Sequence, residues 1–287
     1  MTVAVAMAAV AASGGKFADQ RVVLLGAGSA AAGITGQIVN AMRSEGLTEE
    51  QARQRIWLVD MRGLVHSGQP DLSAFMRDYA RPFETVAGWS AGADVISLLD
   101  VVKHAHPTIL IGTAAQPQAF SEAVVREMAR HVERPIVFPL SNPTSKAEAL
   151  PADVIAWTRG RAFVATGSPF DDVEYEGRRI RVGQCNNAYI FPGVGLGVIA
   201  AQAQRVTDAM IVAAARALSE LSPARRDSSQ SLLPPLTEVR QVAKHVAIAV
   251  ASQAQRDGVA NASSPEELQQ RIEATMWTPS YLPYRHA

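Results

Sequence analysis

Cysteine is nearly missing from this sequence: Cys185 stands alone among 287 residues. A single thiol excludes an internal disulfide framework and suits a reducing compartment. Surplus charge is missing too. Basic and acidic residues number 27 each, so nothing electrostatic argues for a nucleic-acid partner. Apolar runs of spanning length are absent. The first stretch, MTVAVAMAAVAASGG, is apolar, but it has no lysine or arginine before Lys16 and is rich in alanine. A secretory signal needs a basic beginning, and a bilayer needs a longer segment. The stretch is expected to be a buried leading helix within 1–20, and the protein to be soluble and cytoplasmic with no membrane partner.

Catalytic constellations are also scarce. Of six histidines, His104 and His106 flank an expected helix end, and none is spaced with Asp or Glu as metal ligands are. No Ser-His-Asp arrangement is suggested, and the turn TGSPF lacks the nucleophile-elbow pattern. The pair Asp171-Asp172 reads as a solvated loop. The residues therefore offer no general base, no catalytic residue and no metal ligand.

What is present is alternation. The runs RVVLLG (21–26), RIWLVD (55–60), TILIG (108–112), PIVFPLS (135–141) and AFVATGS (162–168) are apolar along their whole length. Strands buried on both faces of a parallel sheet read this way. Amphipathic segments lie between them at 31–45, 93–105 and 121–132. The fold class expected is α/β, a Rossmann-like doubly wound parallel sheet over 21–170. Beyond it, over 171–287, VEYEGRRIRVGQ turns about Glu176-Gly177 as a hairpin, and helices are expected near 192–204, 207–221, 236–256 and 264–274. The polar, proline-closed stretch 222–235 is expected to be an exposed loop. The whole of 1–287 is expected to form a single domain.

The first strand runs into Gly26-Ala27-Gly28-Ser29-Ala30-Ala31, a G-x-G-x-x-A turn that opens a helix. The first glycine permits the tight turn, the second admits a pyrophosphate to the backbone, and the small third residue lets the helix pack close with its N–H groups aimed at the phosphate. The next strand ends on Asp60, placed for the adenine-ribose hydroxyls, although a solvated strand-end acid is the plainer alternative. Asp60 lies farther from the glycines than usual because the polar insertion SEGLTEEQARQ lengthens the helix. An acid there repels a 2′-phosphate and favours NAD. Arg62 and Arg81 are near enough in sequence to offset it, so NADP stays open. Two later strand ends, at Gly112–Ala115 and Ser141–Thr144, should line the same ligand. Asn142 suits a carboxamide or ribose, or else plain turn chemistry. The adjacent amides Asn186 and Asn187 suit a small polar substrate carrying carboxylate or hydroxyl groups, or a loop that bonds its own backbone.

In order along the chain, GAGSAAAGI, WLVDMRGLV, FPLSNPTSKAE, ATGSPFDDV, GQCNNAYIFPGVGLG, LPPLTEVRQVAKHVA and MWTPSYLPYR occur together. This series closely resembles the C-terminal, NAD-binding part of malic enzymes and their malolactic relatives, over essentially the whole chain. The resemblance implies oxidative decarboxylation of L-malate to pyruvate with NAD or NADP and Mg²⁺ or Mn²⁺. It implies cofactor contacts at Gly26, Gly28, Ser29, Ala30, Ala31, Asp60 and Asn142, and malate contacts at Asn142, Asn186 and Asn187. It also implies that the Tyr and Lys acid–base pair, and the acidic metal ligands, belong to an N-terminal domain absent from this sequence. The chain alone is then inactive, and the metal and a homo-oligomeric state belong to the complete enzyme. Malolactic conversion to lactate and a free-standing nucleotide-binding or regulatory module are the alternatives.

Overall fold

The structure, a computed structural model, describes residues 1–278. Its contacts cluster in two compact units, where the sequence reading placed 1–287 in one: Met1–Asn187 with Ser219–Pro235, and Ala188–Leu218 with the chain from Leu236 onward.

The first unit is built on the buried apolar runs. The strands are β1 (Val22–Leu25), β2 (Ile56–Asp60), β3 (Gly63–Leu64), β4 (Ile109–Gly112), β5 (Ile136–Pro139), β6 (Phe163–Thr166), β7 (Val173–Tyr175), β8 (Arg178–Ile180) and β9 (Gly183–Gln184). Among the described residues a seven-stranded sheet runs in the order β3-β2-β1-β4-β5-β6-β9. Every pairing is parallel except the short β2–β3 pair. Every residue of β1, β4, β5 and β6 is buried, as strands covered on both faces must be. β1 pairs on one side with β2 and on the other with β4, so the winding reverses between β1 and β4. Open α/β sheets bind ligands at the carboxyl ends of the strands beside such a reversal.

The helices of this unit are α1 (Thr2–Ala12), α2 (Ser29–Arg43), α3 (Glu49–Arg53), α4 (Ala74–Arg77), α5 (Phe83–Val86), α6 (Leu98–Ala105), α7 (Glu122–His131) and α8 (Pro151–Trp157). Residues 3–10 of α1 are buried without a break, as an all-round apolar helix requires. The hairpin β7–β8 turns on Glu176 (φ 48°) and Gly177 (φ 72°), both left-handed, the conformation expected of that two-residue loop. Asp172 accepts a 2.8 Å bond from Arg179 Nε, so it braces the hairpin instead of standing free.

Two expectations need correction. The insertion before β2 does not lengthen α2: that helix ends at Arg43, the chain turns through Gly46 (φ 102°), and Thr48 starts α3 with a capping box to Gln51. The stretch 222–235 is not simply an exposed loop. Ala224, Leu232 and Leu233 are buried within the first unit, and Arg134 binds Ser228 at 2.7 Å, because two leucines outweigh the polar residues around them.

The second unit holds α9 (Phe191–Ala201), α11 (Val239–Arg256), α12 (Pro265–Thr275) and all but the last two residues of α10 (Asp208–Glu220). Of the closing motif MWTPSYLPYR, residues 279–285 lie outside the described residues. α9 meets α11 through glycines. A Cβ on Gly193 would stand 2.6 Å from Val246 Cβ, and one on Gly197 would stand 2.7 Å from the Ala247 carbonyl, whereas Gly195 faces open space. Gly197→Val should therefore destabilise the protein by about 2–3 kcal/mol through overpacking. Gly195→Ala should stabilise it by about 0.5–1 kcal/mol by removing helix-interior glycine entropy. Thermal denaturation of the two variants reads both signs, and a Gly197→Val protein as stable as the parent would refute the close packing.

Candidate functional site

The turn between β1 and α2 is where the sequence places it. Gly26 has φ 122°, and a Cβ there would collide with the Thr113 hydroxyl, so the two neighbouring strand ends meet only because residue 26 lacks a side chain. Gly26 N–H donates to the Val59 carbonyl at 2.8 Å and Thr113 N–H to the Leu25 carbonyl at 2.8 Å, which knits the carboxyl ends of β2, β1 and β4. Gly28 is the N-cap of α2, with ordinary backbone angles and nothing within 4 Å of a Cβ. No side chain caps the helix. Ser29 and Ala30 are exposed and Ala31 is buried. The first-turn N–H groups of this fifteen-residue helix thus face outward without a side-chain acceptor, and with the helix dipole they favour an anion.

A cavity of about 350 Å³ opens beside that turn, lined by Thr2, Ala30, Ile34, Thr113, Ala115, Leu140, Ser141, Asn142, Gly167 and Cys185. It sits over the carboxyl ends of β1, β4, β5 and β6. Asn142 follows β5, and its Oδ1 accepts from the Ser168 hydroxyl, whose residue is 6% exposed. That bond directs the Asn142 NH₂ away from Ser168, near Gly167, where a Cβ would lie 3.0 Å from it. Burial pushes the Cys185 thiol up to about 12, although the residue as a whole keeps some solvent contact. The thiol is therefore protonated at neutral pH and a poor nucleophile.

Asp60, Asn186 and Asn187 are near this end of the sheet but do not line the cavity. Asp60 ends β2, beside the Gly26 turn. Its carboxylate accepts from Arg62 N–H at 2.7 Å and pairs with Arg62 Nε at 3.5 Å. Asn186 and Asn187 follow β9, whose pairing with β6 carries them to the same edge as Gly167 and Ser168. Arg81 is displaced from its expected position. Its guanidinium donates to the Gln54 and Ile56 carbonyls at 2.8 and 2.6 Å and lies 4.3 Å over Trp57, at the amino end of β2. Four residues of strand, about 13 Å, separate that end from Asp60.

Glu148 is the residue that sequence reasoning missed. It is fully buried, the only charged side chain in the buried set among the described residues. Its Oε1 accepts from Ala114 N–H at 3.0 Å and from the Ser141 hydroxyl, and its Oε2 accepts from Ser141 N–H at 3.3 Å. The signal available was the G-T-A-A strand end, where Gly112 leaves space. A Cβ on Gly112 would lie 2.6 Å from Glu148 Cγ.

His104 stacks on Trp89 at 5.0 Å and His106 on His131 at 3.8 Å. Among the described residues no group of three or more His, Cys, Asp or Glu is placed to hold a metal ion. None of the helices among them is long and apolar enough to cross a membrane.

The comparisons agree on one family. The profile described as "Malic enzyme, NAD binding domain" matches residues 1–255. The NAD-dependent malic enzyme of Edwardsiella ictaluri is 52% identical over 279 residues, 97% of this chain and 49% of the relative. That of Acinetobacter baylyi is 51% identical over the same shares. This chain spans about half the length of these curated relatives. The fold is shared with the crystal structure of a malic enzyme from Entamoeba histolytica (TM-score 0.71, 22% identity, 96% of this chain and 51% of that one). It is shared too with that of Pyrococcus horikoshii (TM-score 0.66, 21% identity, 96% and 57%).

Proposed function

Because this chain belongs to the malic enzyme family and carries its NAD-binding domain, we propose that it supplies the cofactor cleft of an NAD-dependent enzyme converting L-malate and NAD to pyruvate, CO₂ and NADH. The observation that carries this reading is the uncapped α2 N-terminus at the open Gly28, standing at the β1/β4 reversal beside a cavity that reaches Asn142.

In this reading the backbone from Gly26 through Ala31, with Ser29 and Ala30 at the exposed first turn, holds the pyrophosphate. Asp60 accepts the two adenine-ribose hydroxyls. The Asn142 NH₂ donates to the nicotinamide carboxamide or to a malate oxygen, with Ser168 fixing the amide. Asn186 and Asn187 offer donors to the malate carboxylates from the neighbouring edge. The divalent ion of the family does not fit the residues described here, which form no donor cluster. Its ligands, the acid–base pair and the surfaces for homo-oligomer assembly in the cytoplasm are assigned to the remaining half of the enzyme.

Calorimetric titration of the chain with NAD and NADP, before and after Asp60→Ala, tests the cofactor assignment. Losing the hydrogen bonds that the ribose hydroxyls donate to a carboxylate should weaken NAD about tenfold or more. NADP should hold or gain, since Arg62 is released from its 3.5 Å partner and can meet a 2′-phosphate. Equal NAD affinity in the variant would remove Asp60 from the ribose site.

A further inference from the structure

Glu148 lies between the turn at Thr144–Lys146 and α8, and a carboxyl group enclosed there needs a reason. A buried polar group costs free energy unless its hydrogen bonds are made, so an apolar residue of similar volume would fill the space more simply. What Glu148 does differently is accept from several donors at once. Those donors belong to two loops: Ala114 follows β4 and Ser141 follows β5. Ser141 extends the link, because its Oγ also accepts from Ala115 N–H at 2.9 Å. The Glu148 backbone carbonyl ties back once more to Phe120 N–H at 2.9 Å. Thr113, Ala115, Ser141 and Asn142, on these same two loops, form one wall of the cavity.

We infer that Glu148 is a positioning residue for the nicotinamide half of the cofactor: its carboxylate clamps the β4 and β5 loops together and so sets the wall on which the nicotinamide riboside rests. The inference builds on the cofactor reading above. A dinucleotide with its adenosine at Asp60 and its pyrophosphate on α2 must cross the reversal toward β4 and β5, which places the nicotinamide end over this wall. The adenosine end never reaches it. Loss of the clamp should therefore separate the two halves of the ligand.

Glu148→Gln keeps the volume but replaces one oxygen with an NH₂ group. With its remaining oxygen serving Ala114 and the Ser141 hydroxyl, that NH₂ faces the Ser141 N–H, donor against donor, and the loop must shift. Titrating the chain with NAD and with ADP, which carries the adenosine and pyrophosphate alone, reads the split. The expected result is NAD binding weakened ten- to a hundredfold with ADP within about twofold of the parent. Ser141→Ala removes the hydroxyl that joins Glu148 to Ala115, and should weaken NAD about three- to tenfold with ADP again unchanged. It decides the question if the Gln variant does not fold. Equal losses of NAD and ADP, or NAD affinity unchanged, would overturn the assignment and leave Glu148 a structural residue. A parent chain that binds neither nucleotide would overturn the cofactor reading itself, and the clamp with it.

Discussion

Gly28→Val should abolish most NAD binding while leaving the protein folded. The backbone at Gly28 has φ −89° and ψ −168°, which any L-residue adopts, and a Cβ there meets nothing within 4 Å. The cost to the fold is that of a poor N-cap, on the order of 1 kcal/mol or less. A valine side chain, however, occupies the space through which a phosphate approaches the α2 N-terminus. Two or three charge-assisted backbone bonds are lost or lengthened together, which corresponds to at least about a hundredfold in affinity. Gly26→Ala makes the contrasting case. Its φ of 122° and the collision with Thr113 strain the β1–β4 junction itself, so stability falls along with binding. Calorimetry paired with thermal melts distinguishes the two. A Gly28→Val chain that binds NAD within threefold of the parent would mean that the phosphate does not sit on this turn.

The chain alone should form no NADH from malate, NAD and Mn²⁺ above background, and activity should return when the other half of a malic enzyme is supplied in trans. Hydride removal from malate requires a base for the hydroxyl proton, and decarboxylation requires stabilisation of the enolate that follows. The cavity wall offers neither. Its titratable side chain is Cys185, which burial holds protonated to about 12, and the rest are hydroxyls, one amide and apolar groups. Each missing contribution is worth on the order of a hundredfold or more, so the combined loss is at least about 10⁴-fold. Absorbance at the NADH band, with and without the second polypeptide, measures it. Malate-dependent turnover by the isolated chain at anything near an ordinary enzymatic rate would show that a base has been overlooked, and Asp171, Asp172 and Lys146 would be the first residues to replace.

Much of the nucleotide unit was legible from the sequence, and for a local reason. Strands buried on both faces are apolar nearly throughout, so VVLL, ILIG, IVFP and FVAT stand out without any tertiary information, as does IWLV ahead of Asp60. The Gly26–Ala31 turn is equally local, since its geometry depends on which residues lack side chains. Glu148 was not legible because its partners lie 34 residues away at Ala114 and 7 away at Ser141, and a glutamate after Ser-Lys-Ala reads as a solvated helix entrance. Arg81 failed for the same kind of reason. Its nearness to Asp60 in sequence says nothing about which end of β2 the returning chain will meet. Leu232 and Leu233 were outvoted in a polar window, although two buried leucines contribute about 3–6 kcal/mol of transfer free energy.

The chain leaves the nucleotide unit at Asn187 and comes back to it for Ser219–Pro235, with helices of the other unit made before and after that return. Deletion from the C-terminus cannot isolate the nucleotide unit. Stopping at Asn187 strips away Leu233, which packs 3.6 Å from the position of a Cβ on Gly183 and so covers one face of β9. During synthesis the same order imposes a wait. The sheet can assemble once β9 is made, but its cover arrives only with residue 235, after α9 and α10 already exist. Until then the face of β9 that Leu233 covers is open to solvent, and incompletely covered sheets are the species that associate wrongly. A minimal nucleotide-binding fragment should therefore be built by replacing 188–218 with a flexible polar linker, retaining the segment through Pro235.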